Sequence, residues 1–430
     1  MKKLAILLFL ASVAGAVSAQ RVYRSEFAPF DTRECASKGD HSTTVGHIAY
    51  NPALVGNVGD VVMYAQSLDV PAAWNDYNAY LHIESVQSAY DVAVNGTIVA
   101  ANDDPNTPAD YFISPYLNQG ENKIILLLRA SNFADLEQGA TASKRTKFSG
   151  SYIFTQYRAS IFDYDAAIVA REGKLYLELD IIASNNFNYE ERYLIGYDIY
   201  TPENKLVDYA VNEIAVPGRG RDTMRVRLDL GAELRYLWSA EKPNLYRATL
   251  YLKRNNKPSE YIPVAIGAGR TTFKDGKIYR NDKALTIKSV AYNAQGSYSE
   301  CRTQLVALKA KGINTLEPSV PQPEWFYDLC DQLGLYVIES AAINPTAKGD
   351  DRAIGGTPSN DLQYLEQYLE RVKAMYYRTR NHPCVIAYAL GGKEAGNGYC
   401  MYKAYQWLKS VESHRAVICR SANGEWNSDL

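Results

Sequence analysis

Single-step alternation of apolar and polar residues recurs from about Gln20 to Gly269, and then the period changes. Leu175-Tyr176-Leu177-Glu178-Leu179-Asp180-Ile181 alternates cleanly, as a strand with one buried face should. Asp91-Val92-Ala93-Val94 and Thr97-Ile98-Val99 flank Asn95-Gly96, two residues that accept positive φ at little cost, so a tight hairpin is expected there. Lys123 to Leu128 is a further strand. From about Gln20 to Ala167 and again from about Ile168 to Gly269 the pattern is all-β, with the second block matching the size and strand spacing of an immunoglobulin-like sandwich. From Ala284 on, short apolar runs alternate with longer helical patterns, which predicts β/α units around a parallel sheet. Strands are expected at Thr286–Ala291, Ile313–Leu316, Leu335–Ile338, Val385–Leu390 and Ala416–Cys419. Helices are expected at Ser299–Lys311, Pro323–Gly334, Asn360–Arg380 and Tyr399–Ser413, the third capped by Asn360.

Arg380-Asn381-His382-Pro383 ends that third helix, because Pro383 has no N–H to donate and disfavours helix before it. Val385 to Leu390 is apolar almost throughout, as a strand buried on both faces should be. Glu394 then falls just past the strand's C-terminal end, where a β/α barrel carries its chemistry. The segment resembles R-N-H-P-S-V-I-x-W-S-L-G-N-E of glycoside hydrolase family 2, the β-galactosidase and β-glucuronidase family. The resemblance assigns Glu394 the family's general acid/base role. Between Leu390-Gly391 and Glu394 the chain carries Gly392-Lys393 where the family has one Asn, so a one-residue insertion sits beside the carboxylate. Lys393 is expected to favour its ionised form, against what a general acid needs.

The same resemblance extends over nearly the whole chain. Val94-Asn95-Gly96, Pro108-Ala109-Asp110, Ile113-Ser114-Pro115-Tyr116-Leu117 and Gly120-Glu121-Asn122 match the family's N-terminal jelly-roll. Leu237-Trp238-Ser239-Ala240-Glu241-Lys242-Pro243-Asn244-Leu245-Tyr246 matches a segment that turns the chain and packs Trp238 and Tyr246. The implied fold is multidomain β plus α/β: an N-terminal jelly-roll β-sandwich over 20–167, an immunoglobulin-like β-sandwich over 168–270, and an incomplete (β/α) TIM-type barrel over 271–430. Family pocket residues map onto Asp103 and Asp104, Asn293, Ser319 and Trp426 as candidate substrate contacts. Several are changed in kind: the family's K-G-V-N-R-H reads Lys288-Ser289-Val290-Ala291-Tyr292-Asn293, and its pocket His is Ser319. The pocket Glu that ends the third strand is Ser340. Glu339, one step earlier, faces the other way.

A retaining glycosidase needs two carboxylates roughly 5–5.5 Å apart. The family nucleophile has no counterpart up to residue 430. The expected function is therefore carbohydrate recognition by a family 2 homologue without hydrolase activity as it stands. One alternative is an active β-galactosidase-like exo-glycosidase completed by a second chain. Another is a scaffold of a cell-surface assembly, with a protein partner at the open barrel edge.

Composition narrows this little further. Apolar residues make up 47% and charged ones 22%, a globular balance, and 46 basic against 48 acidic residues point to neither nucleic acid nor an anionic membrane surface. Met1-Lys2-Lys3, the apolar run Leu4 to Val17 and Val17-Ser18-Ala19 read as a signal peptide over 1–19. A periplasmic or secreted location follows, with no Cys placed for a lipid anchor and no later run long enough for membrane insertion. The six cysteines show no disulfide spacing and read as buried free thiols. The His residues lack ligand spacing and the glycines lack phosphate-loop spacing, so neither metal nor cofactor is expected. His382 reads as a structural residue under the barrel.

Overall fold

The computed structural model describes residues 21–42, 44, 46–136, 148–255, 257–345 and 353–430. The expected signal peptide lies outside them. The chain divides into two compact units, one drawn from 1–22, 45–134 and 138–157, the other from 23–44, 135–137 and 158–430.

The first unit is a sandwich of antiparallel sheets. A four-stranded sheet orders Ile48–Ala49, Tyr152–Tyr157, Tyr77–Ile83 and Ala109–Phe112. A five-stranded sheet orders Ala53–Val58, Val61–Val70, Gly120–Arg129, Ala89–Val94 and Thr97–Asn102. The period of two is visible in the core, where Leu81 and Ile83 meet Val62, Tyr64, Ile124, Leu126 and Leu128. Asn95 and Gly96 turn the expected hairpin with φ of 50° and 90°, pairing Val94 with Thr97.

The second unit begins with a three-stranded sheet (Ala159–Arg171, Lys174–Asn185, Gly220–Gly231) and a four-stranded one (Leu206–Val216, Glu191–Tyr200, Tyr246–Arg254, Lys257–Ile266). This is the strand count of an immunoglobulin-like sandwich. Ala159–Arg171 runs straight through the boundary expected at 167/168. It pairs with Lys174–Asn185 from end to end, so the register of one hairpin decides where this module starts. Trp238 is 0% exposed; its indole N–H donates to the Asp331 carbonyl at 2.9 Å and its ring meets Tyr336 edge-on.

Five parallel strands follow, hydrogen-bonded in chain order: β1 (Ser289–Ala291), β2 (Thr315–Glu317), β3 (Tyr336–Ser340), β4 (Val385–Ala389) and β5 (Ala416–Ile418). The helices between them are α1 (Tyr298–Ala310), α2 (Glu324–Leu333), α3 (Leu365–Thr379) and α4 (Tyr399–Val411). Ser297 and Glu300 form a capping box on α1, and Gly334 closes α2 in the left-handed conformation at φ 67°. Asn360 does not cap α3. Its side chain bonds the Ala353 carbonyl and the Tyr399 N–H, and the chain reaches α3 through two 3-10 turns, the second capped by Asp361.

The edges of this sheet differ. β1 has a neighbour on one side only, and Ser289 and Ala291 are exposed. The outer edge of β5 is covered by the chain itself. Asp429 donates its N–H to the Val417 carbonyl at 2.9 Å and accepts from the Val417 N–H, while Ser428 accepts from the Cys419 N–H. Among the described residues, then, β1 is the side of this sheet left unpaired, while groups of Ser428 and Asp429 bond to β5. All six cysteines are free, and every one but Cys35 is buried.

Trp238→Ala removes a fully enclosed side chain and its hydrogen bond, and is expected to cost about 3–5 kcal/mol. Denaturant titration followed by circular dichroism measures this; a loss under 1 kcal/mol would mean the site collapses around the gap.

Candidate functional site

The site is built from β4 upward, and β4 is held at its start. Arg380 donates to Asp163 at 2.7 Å and to the Tyr164 carbonyl at 2.9 Å. Asn381 donates to Ser25 at 2.8 Å and accepts from the Ala166 N–H. His382 places Nδ1 2.7 Å from Asp331 and Nε2 2.9 Å from Glu324. Burial would lower the His382 pKa, but the Glu324 and Asp331 carboxylates outweigh it and hold the imidazole well above its ordinary value. Burial pushes Glu324 up to about 7. Three consecutive polar side chains thus tie the strand to the sandwich and to α2.

Beyond β4 the Leu390 N–H donates to the Ile418 carbonyl, and Gly391 turns at φ 137°. A Cβ on Gly391 would lie 2.6 Å from the Ile343 carbonyl oxygen, so only glycine fits this approach. The Gly392 N–H donates to the Ile343 carbonyl at 2.9 Å and the Ala395 N–H to the Gly392 carbonyl at 3.2 Å. Lys393 and Glu394 are the two central residues of this turn, both exposed. Tyr368 and Ser421 fasten its far side through the Ala395 and Gly396 carbonyls. The inserted residue is absorbed as a turn whose apex displays the carboxylate. Glu394 makes no hydrogen bond or ion pair among the described residues.

A second carboxylate, Glu317 at the end of β2, was not singled out by the sequence. It accepts from Arg420, just past β5, at 2.7 Å. Burial raises its pKa, but the Ser289 hydroxyl, Arg420 and the charge of Lys393 lower it more, and the carboxyl is held below its usual range. The cation expected to act on Glu394 is one that Glu317 feels. β2 and β5 are three strand spacings apart, about 14 Å in a flat sheet. Side chains standing perpendicular to a flat sheet would not meet over that distance; they meet because the sheet curls, so the ion pair crosses its concave mouth. The signal that could have found Glu317 and Arg420 is the one that found Glu394, a charged residue at the C-terminal end of a parallel strand.

Asn293 and Ser319 are brought together at the ends of β1 and β2, but they bond each other. The Asn293 amide donates to the Ser319 hydroxyl at 2.9 Å and accepts from its N–H at 2.9 Å. Trp426 is 67% exposed and lies against Tyr402 and Tyr405 of α4 rather than against Asn293 or Ser319. Asp103 and Asp104 belong to the first unit, where each is already paired. Arg129 grips Asp103 with two nitrogens at 2.8 and 3.1 Å, and Arg21 holds Asp104 at 3.1 Å. Glu339 is 0% exposed, accepts from the Tyr327 hydroxyl of α2 at 2.9 Å, and is pushed by burial up to about 8. It faces the helix layer, as strand alternation requires.

Asp331, His382 and Cys384 have ligand atoms close enough to hold a metal ion. Each is otherwise engaged: Asp331 accepts from His382 and from the Cys384 N–H, and burial pushes the Cys384 thiol up, against the thiolate a metal needs. The cluster reads as a hydrogen-bonded network that joins α2 to β4.

Three family profiles match consecutive stretches: "Glycosyl hydrolases family 2, sugar binding domain" at 38–155, "Glycosyl hydrolases family 2" at 160–268, and "Glycosyl hydrolases family 2, TIM barrel domain" at 272–429. The chain belongs to glycoside hydrolase family 2. Among curated relatives of this family 2 chain, the beta-galactosidase of Priestia megaterium is 27% identical over 394 residues, covering 86% of this chain and 36% of that protein. The beta-galactosidase of Leuconostoc mesenteroides is also 27% identical, over 85% of this chain and 36% of that one. The chain thus spans about a third of the length of these relatives. The Bacteroides uniformis beta-glucuronidase superposes with a TM-score of 0.70 at 15% identity, over 94% of this chain and 53% of that one. The beta-D-glucuronidase of Dictyoglomus thermophilum gives 0.67 at 17%, over 87% and 72%. At such identities the structural likeness speaks for the fold alone.

Two outcomes test this construction. Because the His382 pKa is raised in the fold, its stabilisation is complete below its ordinary value of 6.5 and is lost as pH rises through the folded value. The stability gap between the native chain and His382→Gln should be widest below that pH, at about 3 kcal/mol, and shrink above it; a gap flat with pH would remove the imidazolium from the account. Gly391→Ala should cost about 1–3 kcal/mol and release the 391–395 turn, seen as faster amide exchange at Gly392 and Ala395.

Proposed function

We propose that this family 2 chain recognises carbohydrate at the C-terminal ends of its parallel strands and does not hydrolyse glycosides on its own. The Glu317–Arg420 ion pair carries the reading. It lies across the mouth of the curled sheet, where a ring-shaped substrate would sit, and it ties up a carboxylate that could otherwise face Glu394. The mutual bonding of Asn293 and Ser319 supports the same reading, since polar groups satisfied by each other are less available to a sugar. A double displacement needs a nucleophile about 5–5.5 Å from the acid/base. Of the carboxylates at the strand ends, Glu317 is neutralised and Glu339 is buried on the other face. The leader-like N-terminus supports action in the periplasm or outside the cell.

A second reading has its own observation. β1 offers an unpaired edge, flanked by exposed Ile287, Tyr298 and Val306, to which further β/α units on a partner protein could add. Such a partner would bring the second carboxylate, and Glu394 would then serve as the acid/base of a β-galactosidase-like exo-glycosidase.

The mature chain, assayed alone on nitrophenyl β-galactoside, β-glucuronide and β-mannoside, is expected to release no nitrophenol, and Glu394→Gln is expected to match it. Turnover that disappears in Glu394→Gln would overturn the main reading. Turnover confined to fractions eluting above monomer mass would favour the second. Arg420→Ser opens the mouth and should strengthen galactose binding by calorimetry; weakened binding would mean that Arg420 contacts the sugar directly.

A further inference from the structure

A cavity of about 320 Å³ opens at the other end of the parallel sheet, among residues that precede β4 and β5 and residues of the immunoglobulin-like module. It is separate from the strand-end face discussed above, and nothing in the proposed carbohydrate role uses it.

Its charges are unevenly matched. Arg415 is neutralised by Glu412 at 2.7 Å. Arg380 is neutralised by Asp163 at 2.7 Å, with Asp165 at 3.8 Å. Arg270, on the rim, approaches Glu178 only to 3.9 Å, and Glu178 is shared with Arg171. Arg280 makes no ion pair among the described residues, and the Asp331 carboxylate acts on it only at longer range. It is 5% exposed, lies over the Trp238 ring at 5.0 Å, and donates to the Trp238 and Ala268 carbonyls at 3.2 Å and the Thr271 hydroxyl at 3.3 Å. These are long, neutral contacts for a buried cation, which ordinarily demands an anionic partner. Burial lowers the Arg280 pKa to about 10, so the guanidinium stays charged at neutral pH.

The geometry points to a binding site for a small oxyanion in this cavity, with Arg280 and Arg270 as its principal cations. A phosphate, a sulfate or the carboxylate of an acidic sugar would supply the negative charge that Arg280 lacks. Guanidinium groups approaching from separate segments, Arg270 at the end of the module and Arg280 from the strand Lys277–Arg280, suit such a group better than they suit a neutral ligand. Asp165, beside Arg380 and more than half exposed, opposes the anion and limits how tightly it is held.

Isothermal titration of the full chain at low ionic strength, with inorganic phosphate, inorganic sulfate and glucuronate as probes, tests this. At least one is expected to bind. Preference for phosphate or sulfate would identify a tetrahedral oxyanion, and preference for glucuronate an acidic sugar. Arg270→Gln, a change at the partly exposed rim, should weaken binding about tenfold, the equivalent of one charge-assisted hydrogen bond. Asp165→Asn should strengthen it. Arg280→Gln should abolish it; if that variant fails to fold, the opposed effects at Arg270 and Asp165 still decide. Absence of binding by all three probes, or binding indifferent to both Arg270→Gln and Asp165→Asn, would overturn the site.

Discussion

Arg380, Asn381 and His382 fix where β4 begins, and the position of everything beyond β4 follows from that. A strand advances about 3.3 Å per residue and alternates its faces, so a clamp at its first residue sets the height and facing of its last. The clamp is ionic and buried: Arg380 on Asp163, His382 between Asp331 and Glu324. Such pairs add less net stability than their charges suggest, because desolvation offsets the attraction, but breaking one strands a charge in the interior. Their effect is therefore on register. Trp238 acts alongside them, reaching from the sandwich to the carbonyl of Asp331, the residue whose carboxylate holds His382.

At the opposite end of the same strands, polar groups mostly satisfy one another. Glu317 pairs with Arg420, Asn293 with Ser319, and Asn397 with Glu425. Here the scaffold of the family is kept while the charges at the mouth close on each other. The turn carrying Glu394 shows the same separation. Its backbone is held by Ile343, Tyr368 and Ser421, and its two charged side chains stand out at the apex.

Local pattern made much of this legible. The hairpin at Asn95-Gly96 follows from two residues that tolerate positive φ, and α2 from Pro323 at its start and Gly334 at its end. The apolar run of β4 requires a strand buried on both faces. Each of these depends on neighbours within a few positions. The start of α3 was less legible, because Asn360, a good cap by type, is drawn instead to the distant Ala353 and Tyr399, and α3 begins after two 3-10 turns with no side-chain cap. The immunoglobulin-like module begins at Ala159 for a similar reason: the pairing of Ala159–Arg171 with its neighbour, not the composition of either, sets the boundary.

The amino-acid sequence by itself determined the family, the order of the modules and the position of Glu394 past a parallel strand, since periodicity, turn chemistry and motif spacing are properties of adjacent residues. It could not determine which charges meet. Glu317 and Arg420 are separated by more than a hundred residues and by two intervening strands, and they pair because the sheet curls. Arg280 is in no ion pair among the described residues because the groups that close around it, the Trp238 and Ala268 carbonyls and the Thr271 hydroxyl, are neutral. That Asp103 pairs with Arg129 and Asp104 with Arg21 is equally beyond reach of local pattern. Electrostatic partnership depends on distance in space and on the loss of water around each group, and only the tertiary structure decides either.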